Sequence, residues 1–353
     1  MNKISRLWAL VITISILALG AVVANSNSPS SAEGGCAGQA YVTNAGSNNV
    51  SVIDTTTNAV VGLPIPVGFS PFGVAITPNG AFAYVANFIS NTVSVIDTAT
   101  NAVVGFPISV GTGPGGVAIT PNGAFAYVTN FNSNNVWVIN TATNAVVGSP
   151  ILVGTGPVGV AITPNGAFAY VANAAANTVS VINTATNTVS ATILVGAIPR
   201  GVAITPNGAF AYVTNQSSDD VSVINTATNL VVGSPISVGD SPFGLAITPN
   251  GAFAYVTNGG DDTVSVINTA TNTVSATIPV GTIPRGVAIT PNGAFAYVTN
   301  GGSGNVSVIN TATNTVSATI SVGAAPEGVA ICPGAVAPPV TPTDPAVVLK
   351  FTG

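Results

Sequence analysis

The chain has no histidine, and that absence removes more chemistry than any other feature. A triad built on imidazole, a histidine metal site and imidazole acid–base catalysis are all excluded. Charge is scarce as well: Asp, Glu, Lys and Arg make up 4% of the 353 residues, five cations against ten carboxylates. That balance argues against nucleic-acid binding through phosphate contacts. It also leaves a surface of Ser, Thr, Asn, Gly and Ala, which does little to steer partners electrostatically. There are two cysteines, Cys36 and Cys332. No Gly-rich phosphate loop is present, since the glycines fall in turns and at strand ends. No stretch in the body of the chain carries a 3.6-residue apolar period. Neither a metal nor an organic cofactor is expected.

What is present is repetition. The word Ala-Tyr-Val-Thr-Asn, or Ala-Tyr-Val-Ala-Asn, holds all seven tyrosines, Tyr41, Tyr84, Tyr127, Tyr170, Tyr212, Tyr255 and Tyr297, in steps of 42 or 43 residues. Within one unit, Gly73-Val74-Ala75-Ile76 is a short apolar run, and Thr77-Pro78-Asn79-Gly80 is a turn that uses the fixed φ of Pro and the tolerance of Asn-Gly for positive φ. Ala81 to Val85 is a second run. Val93-Ser94-Val95-Ile96 alternates with period two, Asp97 to Asn101 turns again, and Ala102 to Val110 is a fourth run. Four strands per unit at this period specify an all-β, seven-bladed β-propeller of four-stranded antiparallel blades, one domain over residues 37–334. The small Gly-Val-Ala-Ile strand suits the crowded axis. The fourth strand carries Pro64, Pro107, Pro150 and Pro235 and suits the outer edge. Units with a longer fourth strand give the step of 43, so the extra residue is expected as a bulge there.

These repeated elements, Gly-Val-Ala-Ile-Thr-Pro-Asn-Gly, Tyr-Val-Thr-Asn, Val-Ser-Val-Ile-Asn-Thr-Ala-Thr-Asn and a closing Val-Gly, resemble the YVTN-repeat β-propeller family of exported and cell-surface proteins. The resemblance implies the fold over roughly residues 37–334. It brings no agreed catalytic residues, because the shared motif is structural.

The chain enters the ring at a second strand near Tyr41 and leaves it with a lone inner strand, Gly328-Val329-Ala330-Ile331. One blade is therefore expected to be built from both ends. Cys36 occupies the slot of Asn79 and Cys332 that of Thr290, slots two residues apart in an unbroken hairpin and within disulfide reach. The alternatives are two unrelated small residues, or a lipid-anchored Cys36, for which Glu33-Gly34-Gly35 is a poor signal. At the N-terminus Lys3 and Arg6 precede an apolar run from Leu7 to about Val23, followed by Ala24. This reads as a signal peptide over residues 1–24, with an uncleaved membrane anchor as the alternative. Either way the propeller is expected outside the cytoplasm, where a disulfide persists. Residues 25–36 read as a linker and 335–353 as a Pro-rich tail. Without Lys3 and Arg6, three cations, Arg200, Arg285 and Lys350, face ten carboxylates, a net charge of −7.

Candidate sites come from comparing blades. The residue before the inner-strand Gly reads Phe72, Gly115, Val158, Arg200, Phe243, Arg285 and Glu327 around the ring, behind an unchanging Pro. These residues should circle one mouth of the central channel. Arg200 and Arg285 would make anion or hydrogen-bond contacts there, and Phe72 and Phe243 apolar or stacking contacts. Drift between duplicated blades would produce the same variation. Asp219-Asp220 and Asp261-Asp262 are paired acids in corresponding loops. A calcium site needs six or more oxygens, so solvated turns are the expectation. Asn49, Asn215 and Asn305 open glycosylation sequons. The leading expectation is a non-enzymatic exported scaffold, binding an unidentified protein, glycan or small molecule or packing into a surface array. The second is a lactonase- or lyase-like propeller enzyme using Glu327 as base with Arg200 and Arg285. The third is a repeat product selected for stability alone.

Overall fold

A computed structural model describes residues 35–334, and the readings of residues 1–24 and 335–353, with most of the linker, lie outside them. Seven antiparallel sheets stand around one axis, and no helix occurs among the described residues. In the blade of Tyr84 the strands run, from the axis outward, Pro71–Ile76, Phe82–Asn87 and Thr92–Asp97, with an outer strand split into Ala102–Val103 and Ile108–Ser109. The closing blade takes Pro326–Ile331 as its inner strand and Gln39–Asn44, Asn49–Asp54 and Ala59–Pro66 as the other three. Cys36 and Cys332 are disulfide-bonded across this seam, with Cα atoms 5.8 Å apart.

The core lies between the blades. Alternation sends Tyr41 outward from one face of its sheet, onto Ala83, Val85 and Ile96 of the next blade. The next blade's Tyr84 packs in turn on Ala126, Val128 and Ile139. The two middle strands are thus covered on both faces. For this reason they read as near-continuous apolar runs rather than as half-exposed alternation.

Each letter of the repeated word has a separate task. The tyrosine hydroxyl donates to the Asn Oδ1 that ends the turn after the next blade's third strand, from Tyr41 to Asn101 at 2.5 Å and on round the ring to Tyr297 and Asn58 at 2.5 Å. Those acceptor asparagines adopt positive φ, 52° at Asn101 and 54° at Asn58, which Asn tolerates better than other non-Gly residues. The threonine hydroxyl also crosses between blades. Thr43 donates to the Phe72 carbonyl at 2.5 Å and accepts from Gly328 N–H at 2.8 Å. The final asparagine stays at home: Asn44 Nδ2 donates to Ser51 Oγ at 2.9 Å. A Cβ on the glycine of each closing Val-Gly would collide with this amide, as Gly68 with Asn87 Cγ at 2.6 Å, so that position must be Gly.

The outer strands refine the expected bulge. In a 42-residue unit Ser190 alone is extra, between Val189 and Ala191. In a 43-residue unit Gly62, Leu63 and Pro64 together face Ser51. The added residue is accommodated by Gly62 at φ 68°.

Two outcomes test this account of the ring. Burial pushes the hydroxyls of Tyr84, Tyr127, Tyr170, Tyr255 and Tyr297 up to about 12. The neutral form is favoured by folding. Its stabilisation is complete below the ordinary tyrosine value of about 10 and is lost as pH climbs through 12. Melting temperature should therefore fall steeply over that alkaline window, and Tyr127→Phe should cost about 1–2 kcal/mol in a denaturant titration at neutral pH. Replacing both cysteines by Ser should destabilise the ring by up to roughly 5–6 kcal/mol, the chain-entropy limit for so long a loop. Mass spectrometry of the unreduced protein should find no free thiol.

Candidate functional site

Every inner strand opens with Pro followed by the variable residue, and its register on the second strand slips there, as between Pro71 opposite Asn87 and Val74 opposite Val85. The extra residue is a bulge, which re-aims a side chain. The variable residues are thus the second residues of the inner strands. The glycine that follows each one lies against the neighbouring blade. A Cβ on Gly73 would stand 2.5 Å from the Gly115 carbonyl oxygen, so any larger residue would force the ring apart. Phe72, Gly115, Val158, Arg200, Phe243, Arg285 and Glu327, with their following glycines, line one cavity of about 140 Å3 on the axis.

The mouth is divided into two arcs. Arg200, Phe243, Arg285 and Glu327 follow one another and form a polar arc. Both guanidinium groups stack on the Phe243 ring, with Arg200 at 5.6 Å and Arg285 at 4.7 Å from its centroid. Arg200 Nε also donates to Gln216 Oε1 at 2.6 Å, which fixes its direction. Burial, and then the charge of Arg285, hold the Arg200 guanidinium below its ordinary value. Arg285 Nε stands 3.9 Å from Glu327 Oε2, too far for a hydrogen bond, and both atoms are buried without partners. The Glu327 side chain is only 14% exposed. Burial pushes its carboxyl up to about 7, against the opposing pull of Arg285 and Arg200. The other arc is apolar: Phe72 lies 6.4 Å from Phe243 across the mouth and 6.0 Å from Phe88, which is 6.4 Å from Phe131.

Gln216, Phe88 and Phe131 were not singled out from the sequence. They occupy the position after the repeated Asn, which reads Ala45, Phe88, Phe131, Ala174, Gln216, Gly259 and Gly301. The same comparison of blades applied to that slot would have found them.

The other candidates are structural. Asp219 Oδ1 accepts from Ser241 N–H and Asp262 Oδ1 from Ile283 N–H, each at 2.8 Å, while Asp220 accepts from Asn215 and Asp261 from Asp240 N–H. No cluster of metal-ligating side chains occurs among the described residues. Asn215 is fully buried as the last letter of its repeat, which excludes it as a glycan acceptor in the folded protein.

The sequence matches the family described as Lactonase, 7-bladed beta-propeller over residues 111–231 and 238–332. The chain belongs to this family. No curated protein matches it. Among solved structures it is similar to hydrazine synthase of Kuenenia stuttgartiensis, at 26% identity over 78% of this chain and 93% of that one, TM-score 0.71. A functionally unknown protein from Desulfotomaculum acetoxidans matches at 20% identity over 84% and 100%, TM-score 0.74. A candidate 6-phosphogluconolactonase from Bacteroides uniformis matches at 18% identity over 83% and 98%, TM-score 0.71. The last two likenesses are of fold.

Membership in a lactonase family overturns the leading expectation of a non-enzymatic scaffold. The second expectation, a lactonase- or lyase-like enzyme with Glu327, Arg200 and Arg285 at the channel mouth, is the one that family membership favours. Burial holds the Glu327 carboxyl in the range where proton-transfer groups operate, against the pull of the two arginines. The raised value has a stability consequence. The protonated form is favoured in the fold, so its contribution is complete below the ordinary glutamate value of about 4.3 and is lost as pH rises through 7. Glu327→Gln should flatten the fall in melting temperature between those values. NMR titration of the carboxyl should give a midpoint near 7.

Proposed function

We propose that the protein is a metal-independent lactonase whose reaction centre is the polar arc of the channel mouth. One observation carries this reading. In a member of a lactonase family, the Glu327 carboxyl and the Arg285 guanidinium face each other with unpartnered polar atoms 3.9 Å apart, inside the cavity. A buried polar atom left unpaired costs about 1–3 kcal/mol, which a bound substrate oxygen would recover.

The chemistry needs one base, one electrophile and one anchor. Ionised Glu327 takes a proton from water as the water oxygen bonds to the lactone carbonyl carbon. Negative charge then collects on the carbonyl oxygen, where Arg285 donates to it. As that tetrahedral species collapses, the ring C–O bond breaks. The departing oxygen recovers the proton from Glu327, and the product is a hydroxy acid. Arg200, oriented by Gln216, is placed to hold the carboxylate of the product or an anionic substituent. Phe243 keeps the two guanidinium groups in register.

The disulfide fits an oxidising compartment. We read the chain as exported on that ground and on its N-terminal segment. We further read the seven copies of the repeated word as a likeness to the YVTN-repeat propellers.

Hydrolysis of γ- and δ-lactones followed by proton release tests the reading. The purified protein should hydrolyse at least one, with a rate that rises with pH through about 7. Glu327→Gln should lower kcat by about a hundredfold or more. Replacing Arg200 and Arg285 together by Ala should leave the protein folded and weaken binding of the hydroxy-acid product by more than about 1.5 kcal/mol. A Glu327→Gln protein with undiminished turnover would remove the carboxyl from the mechanism.

A further inference from the structure

Beside the axial cavity lies a second recess of about 150 Å3, bounded by Phe72, Phe88, Phe131, Pro157 and Val158 and floored by Gly115. Arg200 stands at its edge, and the recess shares Phe72, Gly115, Val158 and Arg200 with the axial cavity, so the two are continuous. Its walls are mostly apolar. An enclosed apolar cavity of this volume is known to accept a benzene molecule, so the recess has room for one.

Gly115 is what opens it. The same position holds Phe, Val, Arg or Glu in the other six blades, on equivalent bulged strands. The backbone there does not require glycine: φ is not in the left-handed region, and an added Cβ would meet nothing nearer than 3.8 Å. The adjoining Gly116 behaves oppositely, since its Cβ would run into the Val158 carbonyl oxygen. A residue that the ring itself does not dictate is thus followed by one that packing does.

Two more blade-specific choices serve the same recess. Phe88 and Phe131 are the aromatic members of their slot. Each rests on a glycine in the left-handed conformation, Phe88 over Gly113 at φ 68° and Phe131 over Gly156 at φ 65°. A Cβ on those glycines would stand 3.3 Å and 3.1 Å from the respective rings. The other blades hold Ser70, Ile198, Ser241, Ile283 and Ala325 at that position, also with positive φ. Glycine appears there in the two blades where an aromatic ring lies against it, with the Asn132 amide nearer still to Gly113, at 2.7 Å from an added Cβ.

We propose that this recess is a specificity subsite for a benzene-sized apolar substituent on the lactone. The ring of the substrate lies over the polar arc, and the substituent lies between Phe72 and Phe131 above Gly115. The substrate class is accordingly an aryl- or short-alkyl-substituted lactone rather than a polyhydroxylated one. This deepens, and rests on, the lactonase reading.

Binding of product-like carboxylates separates the two claims. Calorimetric titration of the full chain with 3-phenylpropionate and with propionate should show the aryl acid bound at least about tenfold more tightly. Gly115→Leu, which fills the recess, and separately Phe131→Ala, which unwalls it, should each lower that ratio by at least about threefold. Circular dichroism confirms that each variant is folded. Equal affinities in the wild type, no binding of the aryl acid, or an unchanged ratio in both variants would overturn the subsite. Hydrolysis of γ-butyrolactone and its γ-phenyl derivative supplies the second arm. If the binding preference holds and neither lactone is opened, the subsite stands and the lactonase reading fails. If both are opened equally well and the acids bind equally, the lactonase reading stands and the subsite fails.

Discussion

The ring depends on a hydrogen bond from each tyrosine hydroxyl to the left-handed asparagine of the next blade. It is made at 2.5–2.8 Å in all seven interfaces; six bonds join residues 59 or 60 positions apart, and the seventh, from Tyr297 to Asn58, closes the ring across the two ends of the chain. It fixes how far each blade rotates about the axis relative to its neighbour, because both partners are rigid. The tyrosine is fully buried against the facing sheet, and the asparagine lies in a tight turn. The threonine bond to the next rim carbonyl repeats the same constraint nearer the axis in five interfaces. In the other two the repeat has Ala86 and Ala172, and the carbonyls of Gly115 and Arg200 are not held in this way.

That division of labour explains why so uniform a chain can hold a site. Blade-to-blade contacts occupy the tyrosine, the threonine, the asparagine and the glycines, leaving little freedom at those positions. The bulge at the head of each inner strand frees one side chain per blade from that packing and aims it at the mouth. A sevenfold frame then presents seven independent choices. In this protein four adjacent ones make a polar arc, and the rest make an apolar one with a gap at Gly115.

Much of this was legible in the sequence, because repetition turns one unit into seven observations of the same strand order. The lone Gly328–Ile331 strand gave the ring closure, and the two cysteines fell at the seam it implied. The rim was legible as a variable slot among constant ones. The environment of Glu327 was not. Its burial, and its distance from Arg285, depend on which blades become neighbours and how closely the following glycines let them approach. Phe88, Phe131 and Gln216 lie in a different slot and join the site through strand register, each following the asparagine that pairs with the proline before a rim residue. Asn215 shows the reverse failure: a sequon is a local pattern, and only the fold reveals that its asparagine is inside.

The central claim is that broken symmetry at one channel mouth carries the function while the uniform opposite face carries none. The most direct measurement is a crystal structure of the protein with a hydroxy-acid product bound. Density for the carboxylate between Arg200 and Arg285, with the remainder of the molecule over Glu327 and toward Gly115, is the predicted result. Density seated on the Thr-Pro-Asn-Gly turns of the other face, with the mouth empty, would contradict it.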